Sequence, residues 1–241
     1  MKHIGIVGTS PEGAALCYIT ICKEAAERLG NFRHPEVTLH TASLEDYMKH
    51  FADDNNVDWV SAGAVLADSV DKLKKIGADF VICSDNGMHH SIDLIRDELA
   101  LPCLHICEVT VKEAKALEMD KLLILGASCT MRGSIYQRVL DSEGIEYVTP
   151  DDDEIREIDR VIWEELLIGD INESSILYYQ QLIQKYKDQG CDGVILGCTE
   201  LPLLMNDENS PLTCLDSTRL LARSAISIAL SDDPVNFQEH R

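Results

Sequence analysis

Apolar positions along the chain follow two alternating patterns. Short β-branched runs stop at Gly or a small polar residue, and between them lie longer stretches whose apolar residues recur three and four apart. The first pattern is strongest in HIGIVGTS (3–10), DFVICSDN (79–86), KLLILGASCT (121–130) and DGVILGCT (192–199). It is weaker in EVTLHTA (36–42), PCLHIC (102–107) and IEYVTP (145–150). The second pattern predicts helices over 14–29, 57–76, 111–117, 135–142, 155–167, 174–189 and 218–230. Strands that are apolar throughout are buried on both faces, and strand alternating with helix gives parallel sheets flanked by helices. The predicted fold class is α/β.

The pattern is also duplicated. GADFVICSDN aligns with GCDGVILGCT, so that Gly77 falls on Gly190, Asp79 on Asp192 and Val81-Ile82 on Val194-Ile195. Asp85 then occupies the place of Cys198. Upstream, IGIVGTS aligns with LLILGAS, which sets Gly8 over Gly126 and Ser10 over Ser128. Two similar α/β lobes follow, with the active site expected in the cleft where the strand C-termini converge. The expected division is 1–100 plus about 209–230 for the first lobe and 101–208 for the second, with 231–241 a polar, mobile tail. The final helix is expected to return to the first lobe.

Composition narrows the function. With 45% hydrophobic residues over 241 positions the chain can build a sizeable core, and a formal charge of −21 disfavours nucleic acid and anionic membrane as partners. An anionic substrate would need a local cation or a patch of N–H donors to overcome that field. Nine cysteines, with no signal peptide or membrane-spanning run, suggest free thiols in a cytoplasmic setting. Cys17 and Cys22, like Cys103 and Cys107, lack a second pair at zinc-ligand spacing, and Cys83, Cys103, Cys107 and Cys191 sit among aliphatic residues as core thiols. GTSPEG (8–13) lacks the lysine of a phosphate-binding loop, so nucleotide binding there is excluded.

Cys198 differs from the other thiols: it follows an apolar run and precedes Thr199, at a strand end where N–H groups favour thiolate. Asp85 is placed likewise. Two proton-transfer groups on opposite sides of a carbon are what stereoinversion requires, one removing the α-proton and the other delivering a proton to the opposite face. Asn86 and Thr199 follow them and offer donors to a substrate carboxylate, while Ser10 and Ser128, with Thr9 and Thr130, would complete a polar floor. Taken singly, each hydroxyl is equally explained as a helix N-cap. His89 could support Asp85 or do nothing, and His105 reads as a core histidine. Cys83 would become the second thiol if the strand end were shifted.

These residues resemble the aspartate/glutamate racemase family of cofactor-independent amino-acid racemases, from IGIVG through LLILGASCTM and VIWEELLIGDI to GVILGCTELP. The G-C-T-E-L-P segment resembles the surroundings of the family's second catalytic cysteine, which puts that role on Cys198. The family's first cysteine lies in C-N-T-x-H, where this chain reads Asp85-Asn86-Gly87-Met88-His89. The resemblance implies two lobes related by a pseudo-twofold axis, no pyridoxal phosphate and no metal, a small amino-acid or carboxylate substrate, and a homodimer. It implies Cys198 and Asp85 as catalytic residues, with Gly8, Ser10, Asn86, Thr130, Thr199 and Glu200 as substrate-binding residues. Where some aspartate-specific members carry a lysine, this chain has Leu167, leaving Arg132 or Lys49 as replacements if the fold brings them near.

A free carboxyl titrates near 3.9 and a thiol near 8.5, so Asp85 makes a weak base unless its surroundings raise it. Two alternatives therefore stay open. One is a single-cysteine decarboxylase or isomerase of the same superfamily, in which Cys198 protonates an enediolate. The other is a catalytically silent amino-acid-binding protein.

Overall fold

A computed structural model of the chain describes residues 1–53, 56–235 and 237. Two compact units emerge, one formed by Met1–Val109 with the segment from Thr218 onward, the other by Thr110–Ser217.

The first unit is built on a four-stranded parallel sheet of β1 (Ile4–Gly8), β2 (Val37–Thr41), β5 (Phe80–Cys83) and β6 (Cys103–Leu104), in the order β2-β1-β5-β6. Helices α1 (Pro11–Leu29), α3 (Trp59–Lys75) and α4 (His89–Ile95) join the strands, and α5 (Ile106–Ala116) leads toward the second unit. Before α3 the crossover carries an extra helix, α2 (Leu44–Met48), and a small hairpin of β3 (Phe51–Asp53) and β4 (Asn56–Val57). β1 and β5 are buried throughout, as their uninterrupted apolar runs require.

The second unit repeats the plan with β7 (Lys121–Gly126), β8 (Glu146–Val148), β9 (Gly193–Gly197) and β10 (Thr213–Asp216), in the order β10-β9-β7-β8 and again all parallel. Counted in chain order from the opposite edge, both sheets run second, first, third, fourth. After β7 come the short helix α6 (Ser128–Met131) and α7 (Ile135–Glu143), and the crossover from β8 to β9 consists of α8 (Asp152–Glu164) and α9 (Glu173–Asp188). Asp151 caps α8 in a capping box with Glu154. The acidic 151–154 run is thus a helix start.

Helix α10 (Ser217–Leu230) belongs, from Thr218 on, to the first unit. There Lys2 N–H donates to Ala229 O at 2.9 Å, Arg28 Nη1 donates to Ser227 Oγ at 2.9 Å, and Arg223 pairs with Glu24 at 2.7 Å. Of the expected tail, residues 236 and 238–241 lie outside the described residues. Among the described residues no helix is long and apolar enough to cross a membrane.

Several elements depart from the sequence pattern. The run read as strand through Thr130 ends at Gly126, and Ser128–Met131 turns into helix. The weak strand at 102–107 shrinks to two residues because Ile106 already starts α5. α2, the β3–β4 hairpin, α4 and β10 have no counterpart in the predicted elements.

Candidate active site

Each sheet changes direction of connection between its first and third strands, the place where open α/β sheets present strand C-termini and adjacent helix starts to a ligand. In the first unit that point lies between β1 and β5. Val7 is in register with Cys83, so two residues further Thr9 lies beside Asp85. In the second it lies between β7 and β9, where Gly126 pairs with Gly197 and Ala127 comes beside Cys198. The internal repeat maps the first pair onto the second, residue for residue.

Burial isolates the same two positions. Within the described run 80–89 Asp85 is the one residue that is not buried, and within 193–201 Cys198 is the one residue that is not buried. Along each of these two runs every other residue is buried, so each run opens one side chain; at the neighbouring end of β7, Ala127 and Cys129 are part-exposed as well.

Asp85 is held on both oxygens. The Thr9 hydroxyl donates to Oδ2 at 2.8 Å, and the Met88 N–H donates to Oδ1 at 3.0 Å, closing the turn that starts α4. Behind it, His89 Nε2 donates to Cys83 O at 3.0 Å. A carbonyl only accepts, so the ring proton is on Nε2 and Nδ1 is bare; that atom is buried with no hydrogen-bond partner among the described residues. Burial, reinforced by the neighbouring His105 ring, holds His89 well below the usual imidazole range. His89 is therefore a neutral brace for the strand end. Cys83 is fully buried, and burial followed by the adjacent Asp85 charge pushes its thiol well up. That makes Cys83 a core thiol.

Cys198 has a different partner. Its thiol donates to Glu200 Oε2 at 3.0 Å, and Thr199 Oγ1 donates to the same oxygen at 2.6 Å. Glu200 is only 2% exposed, and its Oε1 has no hydrogen-bond partner among the described residues. Expected as a substrate contact, Glu200 is placed as the acceptor behind the thiol. Tyr179, missed in the sequence, is fully buried near enough for Cys198 to raise its phenol further after burial has raised it. A Tyr inside a helical apolar stripe carries no signal beyond core packing.

The remaining expected residues divide by environment. Ser10 caps α1, accepting the Gly13 N–H at 3.4 Å, while Asn86 is buried and its carbonyl accepts the His89 N–H at 3.1 Å. Gly8 is required by packing, since a Cβ there would meet Thr41 Cγ2 at 2.6 Å and Ala14 Cβ at 2.9 Å. Thr130 is buried against both central strands, with Cβ 3.2 Å from where Gly126 would carry a side chain and Cγ2 3.2 Å from the same point on Gly197. It forms the wall immediately before Cys198. Ser128 donates its N–H to Asp159 Oδ1 at 2.8 Å. Leu167 packs on the core of the second unit, and Lys49 is exposed and paired with Asp46 at 2.9 Å. No group of three or more His, Cys, Asp or Glu among the described residues is arranged to hold a metal ion.

Comparison with known proteins covers nearly the whole chain. The family described as Asp/Glu/Hydantoin racemase matches residues 6–225. A broad-specificity amino-acid racemase, RacX, of Bacillus subtilis (strain 168) is 26% identical over 220 residues, covering 88% of this chain and 90% of that protein. Among solved structures, a candidate Asp/Glu racemase from Yersinia pestis superposes with a TM-score of 0.86 at 33% identity, covering 96% of this chain and 100% of the other. An aspartate racemase homologue from Pyrococcus horikoshii OT3 superposes with a TM-score of 0.83 at 29% identity, with the same coverage of 96% and 100%.

Proposed function

Because the chain belongs to the Asp/Glu/hydantoin racemase family, we propose that it is an amino-acid racemase that inverts acidic amino acids without a cofactor, using Cys198 on one face of the α-carbon and Asp85 on the other. Family membership supports the isomerase reaction. The choice of residues rests on one observation: in each of the runs 80–89 and 193–201 a single side chain breaks an otherwise buried stretch, and the two are Asp85 and Cys198. The names of the relatives favour acidic amino acids, although the Bacillus subtilis protein is described as broad in specificity.

In this mechanism Glu200 takes the thiol proton over the 3.0 Å contact, and the thiolate removes the α-proton. Negative charge then spreads onto the substrate carboxylate, where N–H and hydroxyl donors from the Ser10, Asn86, Thr130 and Thr199 strand ends stabilise it. Asp85, in its acid form, returns a proton to the opposite face. Thr9 suits both protonation states of Asp85, since a hydroxyl donates to a carboxylate and accepts from a carboxylic acid. Reaction in the reverse direction exchanges the two roles.

A second reading is favoured by the Met88 N–H on Asp85 Oδ1, which is also how an aspartate fixes a turn before a helix. Asp85 would then be structural, and Cys198 alone would protonate an enediolate left by decarboxylation. Chiral chromatography of L-Asp, D-Asp, L-Glu, D-Glu and neutral amino acids, beside a panel of substituted malonates, separates the two. Appearance of the opposite enantiomer is expected. CO₂ release from a malonate with no inversion would favour the one-cysteine reaction.

A further inference from the structure

A chain of net charge −21 repels a dicarboxylate substrate unless a cation or a patch of N–H donors stands at the site. In the second unit such a cation lies on the loop that follows β7. Arg132 succeeds α6, and its Nε donates to Ser128 Oγ at 3.3 Å. Ser128 follows Ala127, the neighbour of Cys198 across the sheet, and Thr130 in the same short helix packs on Gly197, the residue before Cys198. Arg132 is therefore tied to the start of α6, at the end of β7, the strand paired with the one that leads into Cys198.

Its other contact is weakly held. Arg132 Nη1 pairs with Asp152 Oδ1 at 2.6 Å, and the side chains are 36% and 72% exposed. An ion pair with so exposed an acid contributes little and is readily exchanged for another carboxylate. Arg is also the side chain whose planar fork best matches a carboxylate. Lys49 is engaged by its own helix neighbour Asp46, and Leu167 lies against the core, so neither offers the same arrangement.

We infer that Arg132 is the specificity-determining residue that receives the side-chain carboxylate of an acidic amino acid, exchanging Asp152 for it. Asp152 is then an internal competitor that keeps the guanidinium extended at the loop until an acidic substrate arrives. The inference rests on the amino-acid racemase reading for its substrate, and on the Arg132 geometry alone for its charge selectivity.

The test compares wild type with Arg132→Gln, Arg132→Lys and Asp152→Asn. Racemisation is followed on aspartate, glutamate, alanine and serine, and binding of succinate is measured by calorimetry. In Arg132→Gln the ratio of acidic to neutral kcat/KM is expected to fall about 30-fold, mainly through KM, with Arg132→Lys intermediate. Asp152→Asn leaves the Asp151 cap in place and is expected to lower KM for aspartate about threefold. An equal loss on acidic and neutral amino acids in Arg132→Gln, or no loss, would overturn the assignment. If no protein inverts any amino acid, the racemase reading fails while the Arg132 assignment is still decided: succinate bound about 30-fold more weakly by Arg132→Gln upholds it, and succinate affinity that is absent or unchanged overturns it.

Discussion

The Thr9 hydroxyl donates to Asp85 Oδ2 at 2.8 Å, whereas the residue that the repeat matches to Thr9 is Ala127, beside Cys198. A hydroxyl stands next to the carboxylic acid and a methyl next to the thiol. The first unit, which has Asp where the repeat has Cys in the second, thus also carries a partner suited to a carboxyl group. Thr9→Val removes that donor while keeping shape. A hydrogen bond to a charged group contributes about 1.5–3 kcal/mol, so kcat is expected to fall about 10- to 100-fold with KM little changed. Steady-state kinetics on both enantiomers reads this directly, and an unchanged kcat would mean that Asp85 works without Thr9.

In the proposed mechanism Glu200 positions Cys198 and accepts its proton over their hydrogen bond. Glu200→Gln retains an acceptor oxygen but cannot take the thiol proton. The expected result is a loss of about 100-fold or more in kcat and slower alkylation of Cys198 by iodoacetamide at neutral pH, followed by mass spectrometry of its peptide. Alkylation at the wild-type rate would show that the thiol ionises without this carboxylate.

His89 gives stability a defined dependence on pH. Its folded-state pKa is depressed by burial, with His105 and Arg96 also disfavouring the cation and Cys83 O and Asp93 opposing them. The unfolded ring takes a proton below about 6.5 while the buried one stays neutral, so the unfolded state binds more protons and stability falls as pH drops through that value. The slope from this one group approaches about 1.4 kcal/mol per pH unit. Urea midpoints between pH 7.5 and 5.5 should show it, and His89→Gln should flatten it. An equal slope in the variant would place its origin elsewhere.

Gly126 and Gly197 let β7 and β9 close beneath Thr130. A Cβ on Gly126 would sit 2.6 Å from Gly197 O, a backbone atom that cannot swing aside. Gly126→Ala is expected to destabilise the second unit by about 1–3 kcal/mol and to disturb Cys198. Thermal denaturation of the variant checks the first, and the alkylation rate of Cys198 the second.

Much of the framework is legible in the sequence because β1, β5, β7 and β9 are buried on both faces and therefore written as uninterrupted apolar runs. β10 is an edge strand of four residues, Thr-Cys-Leu-Asp, too short and mixed to stand out. α6 is hidden because Ser128–Met131 continues an apolar stretch whose turn is set by packing of Thr130 on two glycines. The repeat singles out Asp85 and Cys198 without coordinates. Their partners are another matter: the Thr9–Asp85 contact depends on register between strands 76 residues apart, and the Ser128–Asp159 contact on a helix inserted into the crossover. Neither pairing has a local sequence signature.

The central claim, that two different side chains act on opposite faces, is tested most directly by proton NMR in D₂O with single enantiomers of aspartate and glutamate. Wild type is expected to wash deuterium into the α-position while the opposite enantiomer accumulates. Asp85→Asn is expected to abolish inversion and confine any remaining exchange to the enantiomer that Cys198 deprotonates, with Cys198→Ala restricting it to the other. Inversion surviving in Asp85→Asn, or both variants behaving alike toward both enantiomers, would contradict the two-base account.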